Sequence, residues 1–114
     1  MGEQGGSIIN ITDSGAHRAW TGFPAYTVSK AGLESLTRLL ARSLAPAVRV
    51  NAVAPGLILR SEDVSEEEWQ RLYKRLPLQQ PGSTDAITQA VLFLLANTYV
   101  TGQTIVVDGG HQLI

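Results

Sequence analysis

Three short apolar, β-branched runs alternating with helical stretches predict an α/β fold: a parallel sheet with helices on its faces. Two further observations support this. The order along the chain is strand, helix, strand, helix, helix, strand, and parallel neighbours need such crossovers. Glycine and proline sit at the element boundaries, where they interrupt regular backbone. Three strands make a thin sheet for a domain of this class.

The first run, residues 7–12, reads Ser-Ile-Ile-Asn-Ile-Thr after two glycines, the pattern of a buried strand. Residues 13–24 form a polar, glycine-containing loop interrupted by Trp20 and Phe23, aromatics suited either to a pocket wall or to covering the core. Residues 25–44 are a long helix entered at Pro24, a residue that a helix start tolerates. Leu33, Leu36, Leu40 and Leu44 fall at three- and four-residue steps, and Ala31, Leu39 and Ala41 widen that apolar stripe. Pro46 ends the helix. Residues 48–54, Val-Arg-Val-Asn-Ala-Val-Ala, are the second strand, stopped by Pro55-Gly56. After a loop over 57–64, a second helix spans residues 65–76. Ser65 with Glu68 three positions on is a capping-box pattern, and Glu66 and Glu67 suit the positive end of the helix dipole. Pro77, Pro81 and Gly82 break the chain. Ser83 or Thr84 then caps a third helix to about residue 96, with Ile87, Ala90, Val91 and Leu94 on its inner face. Residues 104–107 are the last strand, followed by Asp108-Gly109-Gly110.

Composition narrows the function classes. The 114 residues fit one domain, with 44% apolar and 17% charged side chains. A net charge of -1 and no Lys/Arg run give no pull toward nucleic acid or an anionic membrane. The absence of cysteine excludes disulfides, Cys-ligated zinc and thiol catalysis, and suits a cytoplasmic setting. The beginning of the sequence lacks the basic and apolar regions of a signal peptide.

Chemistry concentrates at Tyr26 and Lys30. Four apart on a helix, they share one face. A phenol ordinarily ionises near pH 10, at a pKa of about 10. A neighbouring ammonium stabilises the phenolate and is expected to lower that value, making Tyr26 a usable proton donor or acceptor near neutrality. A Tyr-x-x-x-Lys pair by itself is weak, since such pairs also occur on ordinary helix surfaces.

Its surroundings are more specific. The segment Gly6-Ser7-Ile8-Ile9-Asn10-Ile11-Thr12 and then Ala25-Tyr26-Thr27-Val28-Ser29-Lys30-Ala31-Gly32-Leu33 resembles the catalytic segment of the short-chain dehydrogenase/reductase family. Val48–Pro55 with Gly56 resembles its next strand and turn, and Val100-Thr101-Gly102-Gln103 with Val106-Val107-Asp108-Gly109-Gly110 its last. The resemblance covers essentially the whole chain in the right order. It implies that Tyr26 is the proton donor in carbonyl or imine reduction, and that Lys30 lowers the tyrosine pKa and binds the nicotinamide ribose. It also implies that the backbone around Pro55, Gly56 and Ile58 faces the nicotinamide carboxamide. Most family members carry serine thirteen positions before the tyrosine; here it is Asp13, with Ser14 beside it. That departure is similar to the pteridine and dihydromonapterin reductase branch, where the carboxylate handles a proton on a pterin, and it implies NADPH as cofactor. Asp13 as a plain cap on a nearby backbone amide is the competing reading.

The same resemblance implies that residues 1–114 are one domain, the C-terminal half of the family's fold: a truncated Rossmann-like parallel sheet lacking the dinucleotide-binding half. Gly5-Gly6 precedes a strand and is not a G-x-G-x-x-G turn, so tight NADPH binding and strong reductase activity of the chain alone are not expected. An open edge on the first strand and the wide apolar surface of the long helix predict completion by oligomerisation, the partner being a second copy or a full-length relative. Two other functions stay open. One is a hydrolase at a new subunit interface, with Tyr26 and Lys30 as nucleophile or base and Asp13, His17, Asp108 and His111 as metal ligands of suitable type. Their spacing is no recognisable metal motif, and the two histidines read better as exposed loop or tail residues. The other is a non-catalytic interaction module. Trp69 and Tyr73, four apart on the second helix, are candidates for the substrate side or for simple packing.

Overall fold

The computed structural model describes residues 5–17 and 21–114. Three parallel strands form one sheet in the order β1-β2-β3: β1 is Gly6–Ile11, β2 is Val48–Pro55 and β3 is Thr104–Val107. Helix α1, Pro24–Leu44, crosses from β1 to β2, while α2, Glu66–Lys74, and α3, Thr84–Ala96, lie between β2 and β3. Short 3-10 turns, Ser14–His17 and His111–Leu113, follow β1 and β3. The predicted α/β class, element order and boundaries therefore hold to within one or two residues. No helix among the described residues is long and apolar enough to cross a membrane.

β2 is the centre of the core. Ile8 pairs with Val50 and Asn10 with Ala52 on one side, and Ala52 pairs with Thr104 and Ala54 with Val106 on the other. Val50, Ala52, Val53 and Ala54 are fully buried, as expected of a strand covered on both faces. Leu94 of α3 and Leu76 just beyond α2 complete the apolar interior. β1, by contrast, is paired with β2 alone among the described strands, so its outer edge is open.

Two polar residues of β2 secure the far end of the sheet. Asn51, fully buried, donates through Nδ2 to the Val100 carbonyl and accepts through Oδ1 from the Gln103 N–H, both at 3.0 Å. Arg49 donates through Nη1 to the carbonyls of Leu94, Asn97 and Val100 at 2.9–3.0 Å, and through Nη2 to Leu95 at 3.2 Å. The last carbonyls of a helix have no intrahelical partner. The Arg49 guanidinium supplies that partner to α3, and its charge suits the negative end of the dipole.

The face of α1 that meets the sheet is partly polar, and part of the helix's wide apolar surface stays exposed, as expected from the sequence. Its buried residues are Glu34, Thr37 and Ala41, while Leu36 and Leu39 are 45% and 65% exposed. Polar groups on β1 and just after it fix which face turns inward. Asn10 Nδ2 donates to Thr37 Oγ1 at 3.0 Å, and Thr12 Oγ1 donates to Glu34 Oε1 at 3.3 Å. Buried polar groups find partners, and with Glu34 and Thr37 turned inward Asn10 and Thr12 gain theirs on α1, the Thr12 hydroxyl lying also 3.4 Å from the Val53 carbonyl. Following that stripe backward by four leads to Lys30 and then Tyr26, so the contact that seats the helix also aims the phenol.

Candidate active site

The candidate residues lie where parallel α/β sheets carry their sites, beyond the C-terminal ends of the strands. β1 ends at Ile11, and the ladder is extended by the Thr12 N–H, which donates to the Val53 carbonyl at 2.8 Å. That bond fixes the chain just before Asp13. α1 begins at Pro24 without a side-chain cap; instead the Phe23 carbonyl accepts from the Thr27 N–H at 2.9 Å and the Thr27 hydroxyl at 2.8 Å. Phe23 itself is 57% exposed and does not cover the core. Trp20 and the side chain of His17 lie outside the described residues.

Asp13 is a cap on a backbone amide, as one reading has it, and it also reaches Tyr26. Its Oδ1 accepts from the Gly15 N–H at 2.6 Å, a local cap. Its Oδ2 accepts from the Tyr26 hydroxyl, also at 2.6 Å, across thirteen residues. One carboxylate thus holds the loop in shape and the phenol in place.

The consequence for Tyr26 runs opposite to the expectation drawn from Lys30. The Tyr26 pKa is pushed up to about 12, first by donating its proton to Asp13, then by partial burial, then by the Asp13 negative charge. Removing that proton would break a charge-assisted bond and set two anions side by side. Lys30 does reach its neighbour, but over the ring: its Nζ lies 5.6 Å from the ring centroid, a cation–π approach. In the free chain, the expected lowering by Lys30 is therefore outweighed by the carboxylate, which is hydrogen-bonded to the titrating oxygen. At neutral pH Tyr26 is a proton-loaded donor.

Asp13, Ser14, Gly15, Gly56, Leu57, Leu72 and His111 line a cleft of about 380 Å³. A second, more open cleft of about 510 Å³ is shaped by residues 55–59 together with Thr84, Ile87 and Thr88. Pro55, Gly56 and Ile58, predicted to face a nicotinamide, are thus at the exit of β2 and beside the Asp13 cleft. Gly56 is required there: a Cβ would fall 2.6 Å from Asp108 Cβ. α2 contributes Leu72, whereas Trp69 and Tyr73 pack edge to face on each other, with centroids 6.3 Å apart.

The sequence reading missed Glu34 and Thr37, and named Asp108 and His111 only as candidate metal ligands. Glu34 and Thr37 continue the Tyr26–Lys30 stripe at helical spacing, a signal that was available. His111, read as an exposed tail residue, is half-buried and lines the cleft. Asp108 has both carboxylate oxygens engaged, accepting from the Gly110 and Gln112 N–H groups at 2.9 Å. Among the described residues no three His, Cys, Asp or Glu side chains gather as metal ligands would.

Comparison with known proteins places this geometry in context. The short-chain dehydrogenase/reductase model described as Enoyl-(Acyl carrier protein) reductase matches residues 1–112. Carbonyl reductase family member 4 of Xenopus laevis is 43% identical over 112 residues, 97% of this chain and 47% of that protein. Dihydromonapterin reductase of Enterobacter sp. (strain 638) is 43% identical over 113 residues, covering 98% and 47%. A crystal structure of FolM Alternative dihydrofolate reductase 1 from Brucella canis, complexed with NADP, superposes with a TM-score of 0.94 at 38% identity. It covers 100% of this chain and 46% of that one. The chain spans about half the length of the curated relatives it matches.

The Asp13–Tyr26 bond sets a titration. Ultraviolet difference spectra between the chain and its Tyr26→Phe variant should show a phenolate appearing near pH 12. In an Asp13→Asn background the step should move down toward the ordinary value of 10. Because the folded value lies above the unfolded one, the bond's contribution to stability is whole below about pH 10 and drains away as pH climbs toward 12. An Asp13→Asn step still near 12 would show that the carboxylate is not the cause.

Proposed function

Because the chain belongs to the short-chain dehydrogenase/reductase family, we propose that it carries the proton-transfer and nicotinamide-facing part of an NADPH-dependent reductase of pterin-like substrates. The observation that carries this reading is the 2.6 Å bond from Tyr26 to Asp13 beside the cleft. Likeness to dihydromonapterin reductase and to the NADP-complexed FolM structure supports it.

The residues present fit one end of the cofactor. Pro55, Gly56 and Ile58 border an open cleft with mostly apolar walls, chemistry suited to the face of a flat ring. Lys30, one turn from Tyr26, is the proposed contact for the adjoining ribose. A pyrophosphate needs a glycine-rich turn at a helix N-terminus, and the 114 residues contain no G-x-G-x-x-G. A reduced nicotinamide held there would supply the hydride to the carbon of the reducible bond. Tyr26 supplies the proton: its O–H, held by Asp13 in the resting chain, turns to a substrate nitrogen or oxygen. Lys30 then offsets the charge of the phenolate that forms. Released from the phenol, the Asp13 carboxylate is free to accept an N–H from the substrate. A pterin offers both a reducible C=N bond and such an N–H.

We propose also that the chain works as a homo-oligomer. The open edge of β1 supports this, as do the outward side chains of α1, with Val28 71% and Leu39 65% exposed. Exposed edges and contiguous apolar faces are covered in stable assemblies. A full-length relative is the alternative occupant.

Two measurements test these readings. If only the nicotinamide end is gripped, reduced nicotinamide mononucleotide and NADPH should bind with dissociation constants within about threefold of each other. NADPH binding a hundredfold or more tighter would reveal a phosphate cradle and overturn the division of labour (each tenfold being about 1.4 kcal/mol). Light scattering at micromolar concentration should give a mass of at least two chains; a stable monomer would refute the oligomer.

A further inference from the structure

The turn that follows β3 is fastened more firmly than a tail needs to be. Asp108 caps it with both carboxylate oxygens, and the His111 N–H donates to the Asp108 carbonyl at 3.1 Å. The Leu78 N–H donates to the Gly109 carbonyl at 3.1 Å, tying the turn to the chain beyond α2. Two glycines permit the close fit. Gly110 has φ of 92°, and a Cβ there would fall 2.7 Å from the Pro77 ring. Gly56 lets the exit of β2 approach Asp108, where a Cβ would fall 2.6 Å from its side chain. The turn is therefore wedged between the β2 exit and the Pro77 corner, and the residue this construction delivers to the cleft is His111.

The cleft's side chains then have a definite character. Leu57 and Leu72 are apolar walls suited to the faces of a flat ring. Asp13 as carboxylate can only accept hydrogen bonds, whereas an imidazole can donate. It has two ring nitrogens, so one can be held by the protein while the other serves the cleft. We infer that His111 is a specificity-determining residue, donating to a ring carbonyl of the same heterocycle whose N–H is accepted by Asp13. This inference rests on the reading of the cleft as a pterin-like substrate site. It adds a selection rule: the ligand must carry an acceptor for His111 as well as a donor for Asp13.

The test is an amide NMR titration of the 114-residue chain with biopterin, a method that reads weak binding and its location together. In the unaltered chain the amides of Gly15, Leu57, Leu72 and His111 should shift. His111→Leu should weaken binding about tenfold, the loss that corresponds to the ordinary net worth of one hydrogen bond. His111→Gln, which keeps an N–H donor, should stay within about threefold of the unaltered chain. Spectra of both variants outside the cleft should be unchanged, reporting an intact fold. Equal binding by His111→Leu and the unaltered chain would overturn the inference alone, and so would equal losses in both variants, which would make His111 a matter of shape. Failure of the unaltered chain to take up biopterin would overturn the substrate reading and the inference with it.

Discussion

The site depends on one carboxylate making two bonds. Asp13 receives the Gly15 N–H on one oxygen and the Tyr26 hydroxyl on the other, so the loop after β1 and the first turn of α1 are a single unit. Without the first bond the carboxylate has no fixed direction; without the second the phenol is an ordinary half-exposed tyrosine. Together they keep the proton on Tyr26 across the physiological range and mark the place where a substrate must compete for it.

That unit rests on the way α1 is seated. The helix turns Glu34 and Thr37 toward the sheet, and bonds from Asn10 of β1 and from Thr12 just after it lock them there, with Lys30 and Tyr26 further back at the same spacing. β2 provides the base: its small, buried residues Ala52 and Ala54 share one face of the sheet and let the chain packed there approach closely. At its other end Arg49 satisfies the carbonyls at the end of α3. A net contribution of about 1.5–3 kcal/mol is usual for hydrogen bonds to a charged group. Chemistry and stability thus occupy opposite ends of one strand.

Much of this was legible in the sequence. The β-branched runs, the prolines at 24, 46 and 55, and the serines before α2 and α3 carry the element order in local signals. Ser65 and Ser83 do accept from the Glu68 and Ala86 N–H groups. Tyr26, Lys30, Asp13 and the Pro55–Gly56 exit were singled out as candidates by spacing and family resemblance. Which face of α1 is inward was not, because leucine periodicity reports where apolar side chains lie and not which of two faces β1 can bond. The pKa of Tyr26 was misjudged for a related reason. Lys30 is four residues away on the same helix and visible in sequence, whereas the dominant neighbour, Asp13, comes from another element. His111 is a third case: its position depends on the fit of Gly110 against Pro77, a contact between segments more than thirty residues apart.

The central claim is that Asp13 holds the Tyr26 proton, and low-temperature proton NMR observes that proton directly. The account predicts a downfield hydroxyl resonance, protected from exchange and close in space to the Gly15 amide, that is lost in both Tyr26→Phe and Asp13→Asn. A Tyr26 hydroxyl exchanging as fast as a free phenol, with no contact to Gly15, would contradict it.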